Sequence, residues 1–277
     1  MENFNAERWS AVVELLAQKQ SIISQVTSGL YQPDASGAKI IHCNGIGGIT
    51  IGDYVKDTDI TFQTLTDTDT PINLDKQKYF AFGIDDVDTY SSVADIENAA
   101  IIQATYNLAL AADKSVFGTF ASAGKKINTS ATVPLDVSSA NIEDVVLTAK
   151  EYLDTQDAGG DRVLIVSSPI ENKLIKAGYA RQTTEGDGIY TNGYIGKLFG
   201  FDIYSSNSLT LDAGTSGYHC LALTKRAIPF ASLVSKVDTV KFEKRFGNGI
   251  KGLYVFGHAV RHPTEMVDLF LKSVPEA

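Results

Sequence analysis

The sequence predicts an α+β fold: one large domain or two intimate ones built around a helical rod, with an arm and a β-hairpin that project from the body. Three observations predict it. Val93 to Phe120 holds no proline and no internal glycine except Gly118, so it reads as one long helix. Apolar residues alternate with small or polar ones before it (Ile60–Phe62, Phe80–Ile84) and near the end of the chain (Leu253–Val260), which is the signature of strands. Between these regions, from Ile142 to Leu223, helical and strand patterns follow one another as in an α/β lobe.

The elements follow in order. Asn5 can cap an amphipathic helix whose apolar stripe is Trp9, Val12, Leu16 and Ile23. A polar linker with Gly29, Pro33, Ser36 and Gly37 follows, so the helix reads as an arm. Residues 40–84 have β character, and the polar, β-branched run Thr64 to Pro71 between the strand patterns predicts two long strands that leave the body and return. A strand of ~15 residues reaches roughly 50 Å and cannot bury itself at home. Ser92 and Asp95 form a capping-box pattern for the long helix, behind the acidic run Asp85, Asp86 and Asp88. Its many alanines make it thin. Ile142, Val145, Val146, Ala149 and Leu153 mark the next helix, and Val163–Val166 a buried strand. Ser168, Pro169 and Glu171 open a further helix that Gly178 closes. Strands are expected at Phe201–Ser205, Tyr218–Leu223, Val240–Phe246 and Leu253–Val260, the last two joined at Gly247-Asn248-Gly249.

Composition narrows the function. Hydrophobic residues make up 44% of the 277 and charged residues 21%, enough apolar mass for a sizeable core and too little charge for disorder. The net charge of −9 argues against a phosphate-gripping surface on duplex DNA. Two cysteines, Cys43 and Cys220, are too few for a disulfide framework and form no CxxC pair, so they read as buried thiols. The start, Met1-Glu2-Asn3-Phe4, lacks the apolar core of a signal peptide, and the uncharged run Asn98–Ala112 is too short to span a bilayer. A soluble protein, with no membrane partner, is expected.

Motifs that resemble chemistry fail on their surroundings. Gly247 to Gly252 spells GxGxxG, but a strand pattern follows it, so a hairpin turn is the better reading. Ala123-Gly124-Lys125-Lys126 lacks the hydroxyl residue and the glycine spacing of a phosphate loop. The pairs Asp57/Asp59 and Asp67/Asp69 lack the glycine and terminal glutamate of a calcium loop. His42, His219, His258 and His262 share no metal-ligand spacing, and neither HExxH nor GxSxG occurs. Neither a catalytic residue, a cofactor nor a metal is expected, so the chain reads as a non-enzyme.

The order of parts, and the strings Val55–Ile60, Lys78–Asp88, Gly193–Tyr204 and Lys251–Gly257, resemble tailed-phage major capsid proteins. The resemblance runs over nearly the whole chain from about Ile40. It implies the HK97-like capsid fold: an N-terminal arm (1–39), the extended E-loop with flanking P-domain strands (40–90), a P-domain spine helix (91–123), an A-domain (124–235) and closing P-domain strands (236–277). It further implies pentamers and hexamers of identical copies forming an icosahedral shell around double-stranded DNA. A separate scaffolding protein, a portal and a possible decoration protein are the other partners implied, and the place is the virion capsid, assembled in the host cytoplasm. The rival expectations are an encapsulin-like shell enclosing a cargo enzyme, with the same fold, and an α/β enzyme with a site in the Tyr179–Gly193 loop.

Charge adds candidate contacts between subunits. Residues 51–100 hold 11 acidic and 3 basic residues, and residues 225–261 hold 8 basic and 2 acidic. The acidic hairpin, with Asp67 and Asp69 at its tip, is therefore expected to lie over Lys241, Lys244 and Arg245 of a neighbour. The Tyr179–Gly193 loop, with Arg181, Glu185 and Asp187, is expected at the tip of the A-domain around a local symmetry axis. The arm, through Trp9, Val12, Leu16 and Ile23, is expected to dock across a subunit boundary.

Overall fold

The structure, a computed structural model, describes residues 21–31, 39–54, 56, 59, 62–84, 96–177, 194–242 and 246–275. Three sheets and one long helix organise them. β1 (Ile40–Ile46) and β2 (Asp67–Asn73) pair in antiparallel register as a two-stranded ribbon. β3 (Lys76–Ile84) then joins β11 (Phe230–Lys241) and β12 (Asn248–His258) in an antiparallel sheet ordered β11-β12-β3. The spine helix, α2 (Ile96–Phe117), follows α1 (Ile23–Val26) in chain order and packs on that sheet. Its 22 residues span ~33 Å, and a 3-10 turn, Gly118–Ser122, ends it.

The remaining body is an eight-stranded mixed sheet. Its main path runs β4 (Lys125–Ile127), β13 (Met266–Ser273), β10 (Gly217–Thr224), β6 (Arg162–Val166), β8 (Phe201–Ser205) and β7 (Tyr194–Leu198). β5 (Leu135–Val137) and β9 (Leu211–Asp212) pair onto β13 and β10. Val163–Val166, Cys220–Thr224 and Met266–Leu271 are all buried, so these strands are covered on both faces and read as apolar runs without alternation. α3 (Ile142–Thr155) buries Ile142, Val145, Val146, Ala149 and Leu153, one side of an amphipathic helix whose first turn carries Glu143 and Asp144. α4 (Ser168–Lys176) buries Ile170 and Leu174. β7 turns into β8 through Phe199 and Gly200, both at positive φ (50° and 87°), the geometry of a two-residue primed turn.

Several expectations change here. The closing segment is not one sheet: β11 and β12 pair with β3, whereas β13 enters the eight-stranded sheet between β4 and β10. Its apolar side chains can be covered on both faces only there. β11 also starts at Phe230, ten residues before the expected Val240. In α4, Ser167 rather than Ser168 stands at the N-cap and its side chain makes no capping bond; Glu171 instead accepts a hydrogen bond from Ser205. The expected arm helix does not reach Ile23 unbroken, because Ser21 and Ile22 are non-helical; among the described residues of the arm, Ile23–Val26 forms a turn of helix. The capping residues Ser92 and Asp95, and Gly178, lie outside the described residues.

The GxGxxG segment is not the turn expected at Gly247-Asn248-Gly249: Asn248 to Gly252 already belong to β12, with Asn248 opposite Lys241 and Gly252 opposite Val237, and the reversal falls between Lys241 and Asn248, ending at Gly247 with φ 143°. Gly124 gives its N–H to the carbonyls of Pro263 and Met266, a strand contact where a phosphate loop would present free donors.

Candidate assembly surfaces

Among the described residues, the ribbon is a part of the chain that the body leaves largely uncovered. At its root, Ile41, Cys43, Ile72 and Leu74 are buried with Ala231 in a small core of their own. This is the inward half of a period-2 pattern, and it stops at Cys43. Beyond it the apolar residues face outward: Ile46, Ile49, Tyr54 and Leu65 are exposed, and Ile51 and Phe62 are each 94% exposed. A cluster of this kind at the end of a projection marks a contact surface.

Close approaches hold the root in place. Gly257 of β12 lies under Asn73 of β2, so a Cβ there would stand 2.2 Å from the Asn73 carbonyl oxygen. Backbone cannot yield as a flexible side chain can. Gly257→Ala is therefore expected to cost ~1–3 kcal/mol in urea unfolding and to lift the ribbon from the sheet. Arg261 donates to the Asn44 carbonyl (2.9 Å) and to the Tyr31 hydroxyl, with its guanidinium over the Tyr31 ring. It thereby ties β1, the incoming chain and the end of β12 together.

A polar triangle couples the ribbon to the spine helix. Lys76 Nζ, Ser115 Oγ and His258 Nε2 lie 2.9–3.0 Å apart. They come from β3, α2 and β12. Burial and the neighbouring Lys76 ammonium push His258 down to about 4, so its ring is neutral at pH 7 and its bare nitrogen accepts a hydrogen bond from Lys76 or Ser115. Two residues away on the same helix, the buried Asp113 carboxyl accepts from Ser21 Oγ (2.6 Å) and the Ile22 N–H (3.3 Å). Burial pushes Asp113 up to about 6, against the pull of those donors.

The sequence-predicted contact residues scatter over this frame. Asp67 and Asp69 are not the hairpin tip. They sit in β2 opposite Ile46 and Asn44, and the reversal falls in the segment between residues 46 and 67. Their alternation with Thr68 and Thr70 makes a largely exposed strand. Asp69 already pairs with His42, 2.5 Å away. Lys241 ends β11 and is exposed. Ile23 packs against its own subunit's core beside Ile22 and Val26. Trp9, Val12, Leu16, Arg181, Glu185, Asp187, Lys244 and Arg245 lie outside the described residues. Arg261, Asp113 and the Lys76–Ser115–His258 triangle were missed because no local motif marks them.

His219 is stacked between Phe120 and Phe270, with centroids 3.8 and 4.2 Å away, and contacts the buried Asp268 at 3.1 Å. It is a packed core histidine. Among the described residues no cluster of three or more His, Cys, Asp or Glu could hold a metal, and no helix is long and apolar enough to cross a membrane.

Residues 49–269 match the model of a family described as phage capsid protein, some four fifths of the chain. Nothing among curated protein sequences matches. Solved structures resemble it throughout. A chain of Mycobacterium phage Che8 superposes with a TM-score of 0.77 at 23% identity, over 97% of both chains. The capsid of cyanophage P-SCSP1u gives 0.73 at 17%, over 98% of this chain and 94% of that one. The mature capsid of bacteriophage PhiM1 gives 0.66 at 14%, over 99% and 94%. At these identities the likeness establishes the HK97-like fold, and the family match adds kinship: the chain belongs to the phage capsid protein family.

Proposed function

We propose that the chain is the major capsid protein of a tailed bacteriophage, assembling as pentamers and hexamers into an icosahedral shell around packaged double-stranded DNA. The observation that carries the reading is the ribbon whose apolar end stands exposed among the described residues. Repeated copies provide that cover. Burying a side chain such as Ile51 or Phe62 contributes ~1.5–3 kcal/mol, whereas an exposed ion pair contributes ~0–1 kcal/mol. The apolar end therefore supplies the adhesion. The acidic ribbon and the basic stretch 225–261 set register and suppress wrong pairings, with Asp67 and Lys241 as the candidate pair and Lys244 and Arg245 beside them. Arg181, Glu185 and Asp187 would face a local symmetry axis. A scaffolding protein, a portal and a decoration protein as partners, and assembly in the host cytoplasm, belong to the same reading and rest on kinship alone.

Concentrated purified protein is expected to sediment as capsomers or closed particles and to show rounded shells in negative stain. A chain that stays monomeric up to its solubility limit overturns the reading.

A further inference from the structure

The apolar end of the ribbon lies beyond the last rung of its own ladder. Among the described residues, the outermost main-chain bond between its two sides runs from the Gly47 N–H to the Thr66 carbonyl. Continued outward, the register of β1 on β2 would set Thr50 opposite Gln63. A side chain makes that connection where a main-chain rung would be expected. Gln63 Oε1 accepts a hydrogen bond from the Thr50 N–H (2.8 Å), and Gln63 Nε2 donates to the Gly48 carbonyl (3.1 Å). A carboxamide carries an acceptor and a donor side by side, as the peptide group of a partner strand does. Glutamate would only accept and lysine only donate.

The bridge is not part of a core. Gly48, Thr50 and Gln63 are all exposed, and water can serve both main-chain groups, so the two bonds add little to the stability of the subunit. Their effect is local. Gly48 and Thr50 flank Ile49, and Gln63 follows Phe62 directly, so the bridge ties together the two sides that carry Ile49, Ile51, Phe62 and Leu65, all exposed. Without it these side chains belong to two separate strands of chain. With it they form one end of one ribbon.

We propose that Gln63 is a positioning residue for assembly: its carboxamide holds the apolar end of the ribbon in the form that a second copy receives. The inference rests on the shell reading and deepens it. A contact segment held in its bound form has less freedom to lose on association, so the loss of Gln63 falls on assembly and not on folding.

The test uses the full chain in two states, dispersed and assembling. In dispersed subunits, Gln63→Ala is expected to speed hydrogen exchange at the Thr50 amide several-fold, with far-UV circular dichroism and urea midpoint unchanged. Under assembly conditions, light scattering should show the concentration needed for particles rising about five- to tenfold. Gln63→Glu should share the defect at pH 7.5. It should recover toward wild type, compared at the same pH, as pH falls through ~4.3, where the protonated carboxyl regains a donor. A side chain that only fills space gives no such recovery. Equal Thr50 exchange in wild type and Gln63→Ala overturns the proposal whether or not shells form. Normal assembly of Gln63→Ala beside an assembling wild type overturns it and leaves the shell reading standing, whereas a wild type that never assembles overturns both.

Discussion

Replacing Asp113 with asparagine is expected to stabilise the dispersed subunit at pH 8 by on the order of 3 kcal/mol and to make it sensitive to acid. In the folded chain, burial raises the Asp113 carboxyl from its ordinary 3.8 to about 6. Between these values the native state holds a proton that the unfolded chain has released. The contribution is therefore most favourable below pH 4 and is lost as pH rises through 6, a difference of ~3 kcal/mol. Asparagine has the shape of the protonated acid. It can donate to Ser21 Oγ and accept from the Ile22 N–H, so the anchor of the chain survives and the cost of the buried charge disappears.

The acid sensitivity comes from His258. Burial and Lys76 lower it from 6.5 to about 4, so between these values the unfolded chain binds the extra proton. Its contribution is complete above pH 6.5 and is lost as pH falls through 4. In the wild type the two groups oppose each other over nearly the same window, and their contributions to the pH dependence of unfolding largely cancel. Asp113→Asn leaves the histidine alone, with stability falling toward pH 4. His258→Gln keeps an acceptor for Lys76 and leaves the aspartate alone, with stability falling from pH 4 to 6. Urea titrations at pH 4.5, 6 and 8 read both slopes. Parallel slopes in the two variants would show that these groups do not titrate as described.

Much of the body was legible in the sequence because its elements are local and strongly patterned. The strand Phe201–Ser205 and the start of α3 at Ile142 lie where their residues place them, and β6 begins one residue earlier than expected. The ribbon was harder to read. β2 buries only Ile72, so Asp67–Thr70 carries no apolar alternation and looks like a loop. Its partner strand lies 21 residues upstream, between Ile46 and Asp67, and nothing local announces that pairing. β13 was passed over for the opposite reason: its near-continuous apolar run has no period, and its neighbours β4 and β10 come from distant parts of the chain. The anchoring contacts are the least legible. Ser21 meets Asp113 across 92 positions and Tyr31 meets Arg261 across 230, and neither end carries a motif.

Removing the end of the ribbon is expected to abolish assembly and spare the fold. Ile46 and Asp67 face each other in the ladder, so residues 47–66 can be replaced by Asn-Gly, the pair that closes a two-residue hairpin. The root core of Ile41, Cys43, Ile72 and Leu74, the Gly257 contact and the Arg261 clamp all lie outside the excised segment. The shortened chain should keep its circular dichroism and a melting temperature within a few degrees of wild type. What it loses is Ile49, Ile51, Tyr54, Phe62 and Leu65, all exposed. At ~1.5–3 kcal/mol for each side chain a neighbour would bury, the gross loss per contact is several kcal/mol. Each 1.4 kcal/mol of it weakens the contact about tenfold, and a closed shell repeats the contact in every subunit. Sedimentation should then show folded subunits or isolated capsomers where the wild type forms particles. Phe62→Asp is the graded version, expected to raise the concentration needed for assembly at least tenfold. Shells of normal size and yield from the shortened chain would mean that the apolar end of the ribbon is not what joins the subunits.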